Sequence, residues 1–103
     1  MSKHSKLQYF VIIVDQKHRK KITSLIMENG GHEVDIVYGK GSVNVGIIAE
    51  AFGLEVEENK VILSCLMKTE NASILMKKLY DDYDFSKPNT GIAFSVPVDG
   101  LSF

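Results

Sequence analysis

The 103-residue sequence contains no tryptophan, a single cysteine and two prolines, and its formal net charge is only −1. One cysteine cannot form an intrachain disulfide, and Cys65 lies in an apolar run, which predicts a small core residue rather than a nucleophile or a metal ligand. The near-neutral charge gives no electrostatic reason to expect nucleic acid or an anionic membrane as a partner. No apolar stretch reaches the roughly eighteen residues of a membrane span.

Apolar residues make up 45% of the chain, which is enough to build a core. A chain of this length buries about two thirds of its unfolded surface and folds without disulfides or a metal, so we predict one domain over residues 1–103. The polar opening 1–6 is not followed by the apolar core and cleavage site of a signal peptide. The expected location is therefore cytoplasmic, with no insertion into a membrane.

Four segments have the residue pattern of β-strands. Residues 7–14 and 60–68 are nearly continuous apolar runs, which are typical of central strands covered on both faces. Residues 33–38 and 91–98 instead alternate between apolar and other side chains, as edge strands do. Pro97 supports an edge position for the last segment, because proline has no N–H to donate within a sheet.

Two segments have the 3.6-residue period of helices. Asp15 stands at the N-cap of the first helix, and the glycines at 30–31 end it. That helix is predicted to place Ile22, Leu25 and Ile26 along one apolar stripe, with His18 as a further candidate. Thr69 is predicted to cap the second helix. Its apolar face comprises Ala72, Leu75, Met76, Leu79, Tyr80 and Tyr83.

The order of these elements predicts an α+β protein, a ferredoxin-like βαββαβ sandwich. Its four-stranded antiparallel sheet would carry two helices on one face, and residues 42–54 would add a short helical insertion after the second strand. Both inner strands are apolar on both faces, yet the two helices can cover only one. We therefore predict that the other face of the sheet is buried against copies of the same chain.

Two glycine-containing segments and the element order carry a family resemblance. The segment 90–101 (TGIAFSVPVDGL) and the strand-end sequence 39–41 (GKG) resemble the nitrogen regulatory protein P-II family and its PII-like relatives, over residues 7–98. The resemblance implies a homotrimer that senses a small-molecule effector between subunits, with an adenine nucleotide as the candidate ligand. It also implies regulation of a protein target, with nitrogen metabolism as the candidate pathway.

The resemblance also assigns a site by position. The base of the loop after the second strand is assigned Gly39, Lys40 and Gly41, and the loop before the last strand is assigned Asn89, Thr90 and Gly91. Gly91, as a glycine, is free to adopt a positive φ and to expose backbone N–H groups. Each glycine pattern is also typical of a plain turn. For 39–41 the turn is the more common explanation, whereas Pro88 and Gly91 build a defined loop that favours a functional role for 89–91 somewhat more.

The sequence departs from the family pattern at three places. Ile92 stands where the pattern has a phosphate-binding lysine, and the sequence ends at Phe103, before the pattern's basic C-terminal segment. The resemblance therefore does not imply strong ATP binding. Residues 42–59 contain no tyrosine, so the tyrosine-modification switch of some members has no counterpart here.

Nothing in the residue spacing predicts an enzyme, a required cofactor or a metal site. No Ser/His/Asp, Cys/His or paired-carboxylate arrangement occurs at catalytic spacing, and His4, His18 and His32 are scattered. The main hypothesis is thus a non-enzymatic PII-like regulator. Two alternatives stay open, namely a trimeric divalent-metal-binding protein of the cation-tolerance type and an oligomeric scaffold without a ligand.

Overall fold

The computed structural model describes residues 6–38, 59–88 and 90–99. The elements in these residues are β1 (Leu7–Asp15), a 3-10 turn (Gln16–His18), α1 (Arg19–Glu28), β2 (Asp35–Tyr38), β3 (Lys60–Lys68), α2 (Thr69–Asp82) and β4 (Ile92–Val98). All strand pairs are antiparallel, and the sheet order is β2-β3-β1-β4. The predicted ferredoxin-like α+β fold, with the two apolar strands at the centre, is confirmed.

The insertion predicted at 42–54 lies outside the described residues. None of the helices in the described segments has the length and apolar character needed to span a membrane.

The main core lies between the helices and one face of the sheet. In the ladders around β1, Phe10 pairs with Cys65, and Ile12 pairs with Leu63. Paired residues in an antiparallel ladder point to the same side of the sheet. We call the resulting cluster the helix-facing core, and its buried members are Phe10, Ile12, Val14, Ile22, Leu25, Ile26, Val61, Leu63, Cys65, Met67, Ala72, Leu75 and Leu79.

The opposite side of the sheet, here called the second face, has a smaller apolar cluster. Its buried members are Val11, Ile13 and Ile62, against which Tyr9, Val37 and Phe94 pack. The sequence predicted that this face would be left uncovered in a single chain. That prediction is wrong for the centre of the face, which is already buried, while Leu66 and Ile92 are each 42% exposed. The apolar surface left for another subunit is therefore smaller than the sequence pattern suggested.

The first helical segment begins and ends as predicted. The Asp15 carboxylate accepts a hydrogen bond from the Lys17 N–H at 3.0 Å, which caps the 3-10 turn that leads into α1. This hydrogen bond lowers the pKa of Asp15. At the other end Gly30 has φ +90°, and the Gly31 N–H donates to the Ile26 carbonyl at 2.9 Å. These features define a Schellman motif, the common glycine ending of helices.

The predicted start of the second helix is wrong by one residue. Lys68, still extended at ψ 147°, is the N-cap of α2, and Thr69 is its first residue. The Thr69 hydroxyl instead accepts a hydrogen bond from the Gln8 amide at 3.4 Å, and its backbone N–H donates to the Lys6 carbonyl. The β3 ladder runs directly into the helix, so the pairing of Lys68 with β1 decides where the helix begins.

One member of the predicted apolar face of α2 does not join the core. Tyr80 is 52% exposed, whereas Leu75 and Leu79 are fully buried. At about 100° per residue, Tyr80 lies about 80° around the helix from Ala72, at the margin of the apolar stripe. Its ring therefore reaches the surface although its spacing fits the helical period.

Candidate ligand site before β4

The structure places two of the six predicted site residues. Thr90 and Gly91 lie directly before β4, at the end of the connection from α2. The other four, Gly39, Lys40, Gly41 and Asn89, lie outside the described residues. Residues 89–91, which precede β4, are called the β4 loop, and the structure describes the assigned site only at Thr90 and Gly91 of this loop.

A cavity of about 240 Å³ opens beside Thr90, between the start of α1 and the connection from α2 to β4. Its lining residues are Val14, His18, Lys21, Ile22, Asp82, Tyr83, Asp84, Phe85 and Thr90. Pockets for drug-sized ligands typically measure about 300–1,000 Å³. A cavity of this size within one chain can hold part of a nucleotide, and a neighbouring surface would have to enclose the rest.

The walls of this cavity carry charges of both signs. Lys21 comes from α1, and its ammonium lies 5.4 Å from the centroid of the Tyr83 ring. Such a contact contributes about 0.5–1 kcal/mol at exposed sites. Asp84 pairs with Lys87 at 3.3 Å, and both side chains are largely exposed, so this pair adds little stability. The cavity is thus not a purely anion-binding site.

The connection that carries Thr90 begins with an ordered turn. Asp84 has φ +60°, in the left-handed region that few residues other than glycine, asparagine and aspartate adopt readily. The reversal lets the Phe85 N–H donate to the Leu79 carbonyl at 3.0 Å, and the Lys87 N–H donates to the Asp84 carbonyl at 2.9 Å. The first of these bonds spans six residues, one more than the corresponding bond of a Schellman motif, so the end of α2 is a wider turn with Asp84 as its left-handed residue.

Gly91 is required by packing rather than by its backbone conformation. Its φ lies outside the positive range, so the chain does not use the left-handed conformation that glycine permits here. A Cβ at this position would lie 2.8 Å from Cε2 and Cζ of Phe85 and 3.0 Å from Cγ1 of Val14. Such distances are shorter than van der Waals contact. Sequence reasoning missed Phe85, because the contact joins residues six apart across an irregular turn.

A second, larger concavity of about 550 Å³ lies between α2 and β4. Its lining residues are Gln8, Thr69, Ala72, Ser73, Met76, Lys77, Tyr80 and Ser95. Neither Thr90 nor Gly91, the two predicted site residues that the structure describes, lines it. Its lysine, Lys77, pairs with Asp81 at 3.4 Å, one turn further along the same helix.

The histidines and acidic residues of the described segments do not form a metal site. No group of three or more His, Cys, Asp or Glu side chains in these segments is arranged to hold a metal ion. Asp81 lies in the last turn of α2 and pairs with Lys77, and Asp84, which lies just beyond the helix, pairs with Lys87.

Cys65 is buried in the helix-facing core, as predicted. Burial, with a smaller contribution from the negative charge of Asp35, raises the pKa of its thiol from 9.0 to about 11. A thiol nucleophile needs a lowered pKa and access to solvent. Cys65 has neither property, so it serves packing.

The raised pKa of Cys65 predicts a pH dependence of stability. Folding favours the neutral thiol, so this stabilisation is fully present below pH 9 and is lost as the pH rises from 9.0 to about 11. Urea unfolding at a series of pH values should show a steeper decline above pH 9 for the wild type than for Cys65→Ala. Equal declines in the two proteins would contradict this assignment, because other titrating groups are common to both.

The arrangement of the sheet and helices is similar to that of the PII-like signalling proteins. A proposed PII-like signalling protein from Thermus thermophilus superposes with a TM-score of 0.66 at 15% identity, over 91% of this chain and 87% of that one. CPII, a nitrogen regulatory PII-like protein from Thiomonas intermedia bound to ADP, AMP and bicarbonate, superposes with a TM-score of 0.64 at 16% identity, over 89% of this chain and 91% of that one.

A further CPII structure with the same ligands has a TM-score of 0.63 at 18% identity and covers 94% of this chain and 96% of that one. No protein-family model and no curated protein sequence matches the chain. At these identities the comparisons show a PII-like fold.

Proposed function

We propose that this protein is a non-enzymatic, PII-like signalling protein that binds a small-molecule effector and regulates a protein partner, with nitrogen metabolism as the candidate pathway. The observation that carries the proposal is the fold that the chain shares with CPII, whose structure contains ADP and AMP. An adenine nucleotide is thus the first ligand to test. Binding would be the protein's task, with no cofactor required for chemistry.

The proposed site combines the β4 loop of one subunit with a neighbouring subunit in a homotrimer. Thr90 borders the 240 Å³ cavity and offers a hydroxyl that both donates and accepts hydrogen bonds. Lys21 would supply a cation, since Ile92 takes the place of the family lysine. The loop base at Gly39, Lys40 and Gly41 and the turn residue Asn89 complete the proposal by sequence position.

Isothermal titration with ADP, AMP and ATP tests ligand binding. We expect ADP or AMP to bind, and Thr90→Val to weaken binding about tenfold, because a hydrogen bond to a charged group contributes about 1.5–3 kcal/mol. Thr23→Val is the matched control, since the Thr23 hydroxyl is buried and has no hydrogen-bond partner among the described residues. This control should bind as the wild type does.

Other outcomes of the titration select the alternatives. Binding of a divalent metal without any nucleotide would favour the cation-tolerance type of function. Heat signals for neither ligand class would favour a scaffold. Equal loss of affinity in Thr90→Val and Thr23→Val would remove Thr90 from the site.

Sedimentation equilibrium tests the proposed assembly. We expect a trimer, and we expect Leu66→Lys to shift it toward monomer, because Leu66 is an exposed apolar residue whose pairing with Tyr9 places it on the second face. Met27→Lys is the control, since Met27 is even more exposed but lies on α1. A wild-type protein that sediments as one chain at micromolar concentration would refute the trimer.

A further inference from the structure

The β4 loop is held in place by an aromatic side chain that the sequence pattern did not single out. The Phe85 ring packs against the helix-facing core and meets the backbone of Gly91, where a Cβ would lie 2.8 Å from two ring carbons. Contact this close means that the ring occupies the space a larger residue at position 91 would need. The path of the loop and the position of the ring therefore depend on each other.

The ring is in turn attached to α2 through its own backbone. The Phe85 N–H donates to the Leu79 carbonyl, and Leu79 is a fully buried residue of that helix. Asp84, at φ +60°, provides the chain reversal that makes this bond. This bond fixes the Phe85 backbone relative to α2, and packing against the helix-facing core restricts the orientation of the ring.

Val14 closes the other side of this contact. Its Cγ1 atom lies 3.0 Å from the same Cβ position at Gly91, and Val14 is a buried residue of β1. The end of β1, the end of α2 and the start of β4 thus converge on the Gly91 backbone. Thr90 is the next residue toward the cavity, so the packing around Gly91 also determines where Thr90 lies.

We propose that Phe85 is the positioning residue of the candidate ligand site. It has no polar group to offer a ligand, although it borders the cavity, and it acts by setting the backbone of Gly91 and hence the place of the Thr90 hydroxyl. The inference rests on the proposed function for its effect on binding. Its effect on the loop itself does not depend on which ligand binds.

The first test measures the loop directly in Phe85→Leu. We expect the backbone amide order parameters of Thr90 and Gly91 to fall from about 0.85 to below about 0.6, the range of flexible segments, while those of β3 stay unchanged. Phe10→Leu is the matched control, since it removes the same atoms from a buried phenylalanine whose sheet partners are Cys65 and Ser95. Unchanged loop order in Phe85→Leu, or equal loss in both variants, would overturn the proposal.

The second test measures ADP affinity of the same proteins. A loop that keeps its binding geometry about a tenth of the time binds about tenfold more weakly. We expect this loss in Phe85→Leu and no change in Phe10→Leu, although both variants are less stable than the wild type. Equal affinity of the two variants for ADP would overturn the positioning role. If neither ADP nor AMP binds any of the proteins, the proposed nucleotide binding fails, and the order parameters alone decide the role of Phe85.

A third test uses the steric relation between the two residues. Gly91→Ala alone forces its methyl group into the ring, and Phe85→Leu alone removes the ring's support. The smaller leucine should make room for the new methyl group, so the double variant should be more stable than the sum of the single losses predicts. Additive losses would show that residues 85 and 91 do not depend on each other, and would overturn the proposal.

Discussion

Replacement of Gly31 by alanine is expected to lower the free energy of unfolding by about 3 kcal/mol, at the upper end of overpacking costs in protein cores. Gly31 is buried where α1 ends, and a Cβ there would overlap Cγ2 of Ile26 and lie 3.0 Å from the Ile26 carbonyl oxygen and 3.1 Å from Sγ of Cys65. Helix backbone and sheet surround the position, so the added methyl group has little room to relax. Urea denaturation monitored by circular dichroism would measure the loss.

Gly30→Ala provides the matched control for this substitution. Gly30 is the residue with φ +90°, and its added methyl group would meet mainly the amide end of Asn71, a side chain that can rotate away. Its expected cost is about 1 kcal/mol, arising mostly from the left-handed backbone. Surface substitutions usually change the free energy of unfolding by no more than about 0.5 kcal/mol. If Gly31→Ala changes it by no more than this, Gly31 does not lie as close to Ile26 and Cys65 as described.

Replacement of Leu79 by alanine is expected to lower the free energy of unfolding by about 2–5 kcal/mol, the range for removing a buried leucine side chain. Leu79 is fully buried in the helix-facing core, which lies between α2 and the sheet strands β1, β3 and β4. Its backbone carbonyl also accepts a hydrogen bond from the Phe85 N–H, and this bond is retained in the alanine variant because it involves only the backbone. The loss would therefore report side-chain packing.

The neighbouring residue gives the contrast for Leu79. Tyr80→Ala is expected to cost less than about 1 kcal/mol, because the ring is 52% exposed and leaves no closed cavity. The sequence pattern placed both residues on one apolar face and so predicts similar losses for the two substitutions. The structure, in which only Leu79 is buried, predicts different losses. Similar losses in the two variants, measured by urea denaturation, would contradict the burial described here.

Most of the fold can be predicted from residue patterns, because buried side chains recur at a different spacing along a strand than along a helix. The side chains of the continuous apolar runs at 7–14 and 60–68 are best buried on both faces at the centre of a sheet, and the structure places β1 and β3 there. The ending of α1 was also predictable, since the glycines that follow Asn29 form a motif within a few residues of chain.

The features that sequence reasoning missed depend on contacts between distant elements. Thr69 has the residue type of an N-cap, but the ladder that extends to Lys68 moves the helix start by one residue. The burial of Val11 and Ile62 on the second face could not be predicted from the sequence. Apolar side chains alternate between the two faces in the same way whether or not a face is covered. Of the six assigned site residues, the described segments place Thr90 and Gly91.

The sequence by itself determined the class of fold, the order of central and edge strands and the position of the β4 loop, since these depend on local periodicity, turn residues and the amount of apolar side chain to be buried. Only the tertiary structure decided why position 91 is glycine and which side chain holds its loop. The reason is physical. The Phe85 ring and the Val14 methyl group reach the Gly91 backbone from separate elements, and close packing between them leaves space for a hydrogen alone.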